Sequence, residues 1–230
     1  MLTAPLLLGL CTVHTLGTSC TRAQADPAAV ERARSAPPAE TLAGSDVPDD
    51  RGLATAVFAG GCFWCTESVF EAVDGVADVV SGYAGGSPKD ATYPLVASGA
   101  TDHAEVVKVR YDPEKVGFGD LLRVFMTIAH DPTQLDRQGP DRGRQYRSAV
   151  FYLSDAQKQA AQRYIQTLDA AGLYPKPIVT RLEPLTQFHA AEDDHQDFVR
   201  LNPGNRYVVV NALPKVEKLK LAFPGLVDGQ

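Results

Sequence analysis

The chain has 230 residues, 44% hydrophobic and 22% charged, with a formal net charge of −6. That length is enough for one core plus appendages, and the acidic balance leaves no basic face for nucleic acid. Its four cysteines, at positions 11, 20, 62 and 65, leave the last 165 residues without one, so a disulfide framework is excluded.

Residues 1–16 are mostly apolar or small, densest at Pro5-Leu6-Leu7-Leu8-Gly9-Leu10, and resemble the hydrophobic region of a secretory signal. Ala23-Gln24-Ala25 fits a cleavage site that starts the mature chain at Asp26, and Cys20 offers a lipidated cysteine as the alternative. Export to a bacterial periplasm, or as a membrane-anchored lipoprotein, is therefore expected. Against it, no Lys or Arg precedes Arg22, and a misassigned start would leave a cytoplasmic protein. Residues 26–52 carry Pro27, Pro37, Pro38 and Pro48 without helical or strand period and are expected to be a flexible tether. The folded domain is then 53–230.

From Leu53 the elements follow in order. Leu53 to Ala59 is a buried strand, and Thr66 to Val73 an amphipathic helix. Val76 to Tyr83 and Glu105 to Tyr111 are strands, and Asp120 to His130 is a helix with Leu121, Leu122, Val124, Phe125 and Ile128 on one face. Ser148 to Tyr152 is a strand. Ser154 caps a long helix, with Gln157 completing a capping box and Gly172 stopping it, and Pro177 to Thr180 is a further strand. The first six elements run β-α-β-β-α-β, which predicts a mixed α/β (α+β) fold, a ferredoxin-like two-layer plait with an extra helix and strand. The aperiodic stretches 87–101 and 131–147 are expected to be long functional loops converging on the turn at Cys62.

That turn carries the chemistry. Gly60-Gly61-Cys62-Phe63-Trp64-Cys65 puts two thiols three residues apart where a strand becomes a helix. The helix N-terminus there favours thiolate over thiol. Half a zinc site is disfavoured because no second cysteine pair or suitably spaced histidine pair exists, and a structural disulfide across so short a loop would stabilise little. A redox-active pair is the better reading.

Further blocks give this stretch a family likeness. They are Ser81-Gly82-Tyr83-Ala84-Gly85-Gly86, Ala91-Thr92-Tyr93 and His103-Ala104-Glu105-Val106-Val107-Lys108-Val109. His130-Asp131-Pro132-Thr133, the run from Arg137 to Ser148, and Ala191-Glu192-Asp193-Asp194-His195-Gln196 complete the set. Together with the Cys62 motif they resemble the A-type peptide-methionine sulfoxide reductases over residues 54–223. The resemblance implies reduction of methionine S-sulfoxide, free or in oxidised proteins and peptides, with no cofactor or metal. Cys62 would be the nucleophile and Glu105 the acid that protonates the leaving oxygen. Phe63 and Trp64 would hold the S-methyl group, with Tyr93, Tyr146 and Asp141 as polar groups around the oxygen.

Many members recycle through cysteines in a Gly-rich C-terminal tail, and this tail has none. Cys65 is therefore expected to resolve the Cys62 sulfenic acid as a disulfide, reduced in turn by a thioredoxin-like protein. Without the resemblance, Glu105 reads as an exposed strand residue, and the aromatics as ordinary packing. Glu67 reads as a surface charge at the helix start, His195 and Glu192 as structural contacts, and Arg142, Arg144 and Arg147 as a solvated loop face. A monomer is expected. The competing functions are a thiol-disulfide oxidoreductase using the CxxC pair and a module that only binds oxidised methionine.

Overall fold

The computed structural model describes residues 24–227. The apolar start, with Cys11, Cys20 and the first residue of the cleavage motif, Ala23, lies outside the described residues.

Residues 26–52 are not an unstructured tether. Asp26 caps helix α1 (Pro27–Ser35) by accepting from the Ala28 N–H at 3.0 Å, and Val30 and Ala33 are buried. Arg34 donates to the Leu221 carbonyl at 2.8 Å and Arg123 to the Ala36 carbonyl at 2.7 Å. Asp46 then accepts from the Tyr111 hydroxyl at 2.6 Å and the Phe118 N–H at 2.9 Å. Only two apolar side chains of α1 are buried, too few to give a periodic signal, and polar bonds to the body hold the rest of the strap.

Strand β1 (Ala54–Gly60) leads into helix α2 (Phe63–Glu71), then strand β2 (Val76–Ala84), a one-turn helix α3 (Tyr93–Ala97) and strand β3 (Ala104–Tyr111). Helix α4 (Phe118–Val124) continues as a π turn, Phe125–Ala129. A two-residue hairpin, β4 (Arg137–Gln138) and β5 (Asp141–Arg142), precedes strand β6 (Ser148–Tyr152) and helix α5 (Asp155–Ala170). Short strands β7 (Arg181–Pro184) and β8 (Phe188–Ala190), helix α6 (Phe198–Leu201), a second π turn (Val208–Ala212) and helix α7 (Leu213–Ala222) follow.

The fold is mixed α/β. The main sheet has the order β7-β6-β1-β3-β2-β8, and each of its four inner strands runs antiparallel to its inner neighbours. The predicted strand at Pro177 to Thr180 is displaced to Arg181–Pro184, where it pairs parallel to β6. Residues 178–180 instead dock on the preceding loop, Val179 donating to the Pro132 carbonyl at 2.8 Å. At α5 the Ser154 hydroxyl accepts from the Gln157 N–H at 3.2 Å, but the return arm of the capping box reaches the Leu153 N–H, at 3.0 Å, rather than that of Ser154.

Alternation along the strands sorts side chains onto two faces. Ala54, Ala56 and Phe58 of β1 face the helices, while Val57 and Ala59 face a smaller cluster beneath. Phe58 is the hub of the helix side, its ring 5.2 Å from Phe70, 6.1 Å from Phe118 and 4.7 Å from Phe125. In β3, Val107, Val109 and Tyr111 share that face. By the same parity Glu105 points toward α2, into the protein.

Candidate active site

The β1–α2 turn is built by Gly60-Gly61. Gly61 has φ +88°, and a Cβ there would overlap the Gln138 side chain, so the glycine is required both by the backbone and by the loop packed on it. Cys62 is the N-cap of α2 and is 8% exposed; Cys65, one turn in, is 1% exposed. Both are free thiols.

Glu105, 2% exposed, reaches the same turn from β3 and accepts from the Phe63 N–H at 3.1 Å through Oε2. This bond satisfies one of the unpaired N–H groups at the start of α2. A cavity of about 210 Å³ is lined by Cys62, Phe63, Trp64, Tyr93, Glu105, Asp141, Tyr146 and Tyr207. Seven of these are the residues picked out from the sequence. The eighth, Tyr207, sits in an apolar run that reads as ordinary packing, and nothing in its local pattern marks it. Its hydroxyl donates to Asp141 Oδ2 at 2.5 Å and lies 4.0 Å from Cys65 Sγ. Cys65 does not line this cavity. It opens instead, with Cys62, onto a smaller space of about 50 Å³ lined also by Gln138, Asp141, Tyr207, Asn211 and Lys215.

The two long loops do converge here. Tyr93 opens α3, and its N–H donates to Glu192 Oε1 at 2.9 Å, while Oε2 of the same carboxylate accepts from the Tyr83 hydroxyl at 2.8 Å. Trp64 stacks on Phe198 at 3.8 Å, and its indole N–H donates to His195 Nδ1 at 3.2 Å. His195 lies 4.0 Å from the Tyr93 ring and 5.4 Å from that of Phe63. Glu192 and His195 thus hold the aromatic wall, matching their reading as structural contacts. Asp141 rides on the β4–β5 hairpin, which Gln138 staples to Asp131 by accepting from its N–H at 3.2 Å and donating to its carbonyl at 3.1 Å.

Two surface readings are corrected. Arg147 is 4% exposed rather than on a solvated face. It makes a bidentate pair with Glu183, at 2.9 and 3.0 Å, and donates to the carbonyls of Asp102 and Arg144, which fixes the backbone beside Tyr146. Glu67 is buried beneath α2 and accepts from the Ser81 hydroxyl at 3.1 Å. Burial, and then the neighbouring Glu71 charge, push its carboxyl up to about 7.

Electrostatics at the cavity favour protons on the acids. Burial lifts the Glu105 carboxyl up to about 8 despite the Phe63 N–H, so it is mostly protonated at neutral pH. The cysteines titrate as a pair. Burial, then contact with Cys65, holds the Cys62 thiol well above its ordinary range. The hydrogen bond from Cys62, and next the Lys215 ammonium, lower the Cys65 thiol to about 7. One negative charge is therefore shared between two sulfurs near neutral pH, with the second proton retained. The helix N-terminus predicted to favour a Cys62 thiolate is present, but burial outweighs it.

The family model for peptide methionine sulfoxide reductase matches residues 54–224. The chain belongs to the peptide methionine sulfoxide reductase family. It is 55% identical to peptide methionine sulfoxide reductase MsrA 2 of Mesorhizobium japonicum, over 76% of this chain and 90% of that one. It is 52% identical to the MsrA of Natronomonas pharaonis, over 77% of this chain and 99% of that one. Among solved structures, Mxr1 from Saccharomyces cerevisiae in reduced form superposes with a TM-score of 0.64 at 33% identity, covering 70% of this chain and 92% of that one. Within this methionine sulfoxide reductase the loops, the aromatic wall and the buried acid all meet at the first turn of α2.

Proposed function

We propose that Cys62 performs the family's reaction on this chain, reducing the S-sulfoxide of methionine, free or within oxidised proteins, to methionine. The observation that carries this is the shared cavity in which the Cys62 sulfur faces a buried carboxyl inside an aromatic wall. The S-methyl group fits against Phe63 and Trp64, and the sulfoxide oxygen is directed to Glu105, Tyr93 and Tyr146. Cys62 passes its proton to Cys65 as its sulfur attacks the sulfoxide sulfur. The Glu105 carboxyl gives its proton to the oxygen. The oxygen moves to the Cys62 sulfur as the S–O bond to methionine and the new S–S bond break, so that methionine leaves and Cys62 is a sulfenic acid. Cys65 then displaces that oxygen as water to form the Cys62–Cys65 disulfide, and a thioredoxin-like protein reduces it. A thiol-disulfide oxidoreductase is the weaker reading, because disulfide exchange has no use for a protonated carboxyl beside Cys62.

Turnover of methionine sulfoxide with dithiothreitol tests the reading, in the wild type and in Cys62→Ser. Activity in the first and none in the second is expected; equal activity would overturn it. The apolar stretch at 1–16 further supports export, with cleavage near Asp26 or a lipid on Cys20. Mass spectrometry of the protein from its host checks this, an intact Met1 contradicting it.

A further inference from the structure

We infer that Lys215 is a positioning residue for the recycling half of the reaction, its ammonium holding Cys65 as the thiolate that attacks the Cys62 sulfenic acid. This deepens the recycling step proposed above and rests on Cys65 being the resolving cysteine. Lys215 stands in the first turn of α7, immediately after the π turn Val208–Ala212. Together with Cys62, Cys65, Asp141 and Tyr207 it lines the space of about 50 Å³ beside the two sulfurs. It is the one cation lining that space, and it makes no ion pair among the described residues.

On the side away from that space the cysteines pack on apolar groups: Val199, Val208 and Ala212, with Trp64, Phe198 and Leu213 beside them. Both sulfurs are buried, so a charge beside them is screened less than it would be in bulk water. The groups facing Cys65 are Cys62, Glu105, Asp141, Tyr207 and Lys215, and only Lys215 is positive. On its far side Lys215 lines a second cavity, with Arg32, His130, Asp131 and Lys218. Burial, then the Lys215 charge, lowers the Lys218 ammonium to about 7, and burial lowers His130 to about 3. The Asp131 oxygens are taken by Thr133 and Gln134. In the space beside the sulfurs the one carboxylate is Asp141, whose Oδ2 is taken by the Tyr207 hydroxyl. No ion pair among the described residues joins it to Lys215, so the Lys215 charge also acts on the thiol pair.

The step needs this help. After methionine leaves, Cys65 carries the proton received from Cys62 and is no nucleophile. It loses that proton to solvent, and Glu105 regains one from solvent. The Cys65 thiolate then forms the S–S bond while the S–O bond of the sulfenic acid breaks, and the hydroxide leaves as water with the Glu105 proton. With Cys62 oxidised, its thiol hydrogen bond to Cys65 is gone, and Lys215 is the principal remaining group that favours the thiolate.

The test is rapid-quench kinetics from pH 5.5 to 9, following methionine release and, separately, loss of dimedone-reactive Cys62 as the disulfide forms. An opposite charge moves a thiol by about one unit or more. Lys215→Met should therefore slow disulfide formation about tenfold below neutral pH and move its midpoint upward by about one unit. Lys215→Arg should restore the midpoint, which a merely structural loss would not permit. An unmoved midpoint in Lys215→Met, with Cys65→Ser failing to recycle under thioredoxin, would overturn the role of Lys215 alone. Normal thioredoxin-dependent turnover of Cys65→Ser would overturn the recycling route beneath it.

Discussion

The Phe63 N–H donates to Glu105 Oε2 at 3.1 Å across 42 residues of chain, which ties the first turn of α2 to β3. Cys62 precedes Phe63, so this bond also fixes the carboxyl beside the reactive sulfur. Glu105→Gln keeps an oxygen for the Phe63 N–H but has no proton to give to a leaving oxygen. It should retain the fold and slow sulfoxide reduction by about 10²–10⁴-fold, the range of general acids. Single-turnover methionine release measures this, and an unchanged rate would remove Glu105 from the mechanism.

The activity should be bell-shaped in pH. The shared negative charge on the cysteine pair requires loss of a proton near 7, and Glu105 must keep its proton, which it loses near 8. The rate at low substrate should rise through about 7 and fall through about 8. Glu105→Gln should flatten the alkaline limb and leave the acidic one. An alkaline limb that survives in that variant would assign it to another group.

Glu105 was legible only through the family resemblance, because a lone carboxylate in a strand reads as an exposed residue. The structure buries it on the face of β3 that carries Val107, Val109 and Tyr111 against the helices. The glycine turn and the two loops were legible because their residues are unusual for their places. Three features were not. The strap at 26–52 is held by Asp46, Arg34 and Arg123 through polar bonds to backbone and hydroxyl groups, which leave no hydrophobic period. Arg147 looks like its exposed neighbours until Glu183, 36 residues away, comes beside it. The π turn at Phe125–Ala129 keeps the apolar pattern of a helix, and only His130 Nδ1, 2.8 Å from the Phe125 carbonyl, reveals the altered turn.

Arg147→Met should be strongly destabilising. It leaves the partly exposed Glu183 carboxylate without its guanidinium and the Asp102 and Arg144 carbonyls without a donor, and losing hydrogen bonds to a charged group costs about 1.5–3 kcal/mol. Urea unfolding should show a loss of that order. The surviving folded enzyme should show a raised KM, because the backbone beside Tyr146 loses its anchor. A loss below about 1 kcal/mol would place the pair with ordinary surface bridges.

Glu67→Gln should change how stability depends on pH. The folded carboxyl sits near 7 and the unfolded one near the usual 4.5, so the folded state binds the proton more tightly. Its contribution is fully present below the unfolded value and is lost as pH rises through about 7. The neutral amide also accepts from Ser81 and carries no such penalty. The variant should match the wild type near pH 4 and exceed it at pH 8 by on the order of 1–3 kcal/mol. Parallel stability curves for the two proteins would contradict the buried-acid assignment.

The central claim is that Cys62 takes the oxygen. The most direct measurement is one turnover of Cys65→Ser with methionine sulfoxide in the absence of thiols, reading methionine released and the dimedone adduct by peptide mass. The account predicts about one methionine per enzyme and an adduct on Cys62, with far less adduct in the wild type because Cys65 consumes the sulfenic acid. Methionine released without an adduct on Cys62, or no methionine at all, would contradict it.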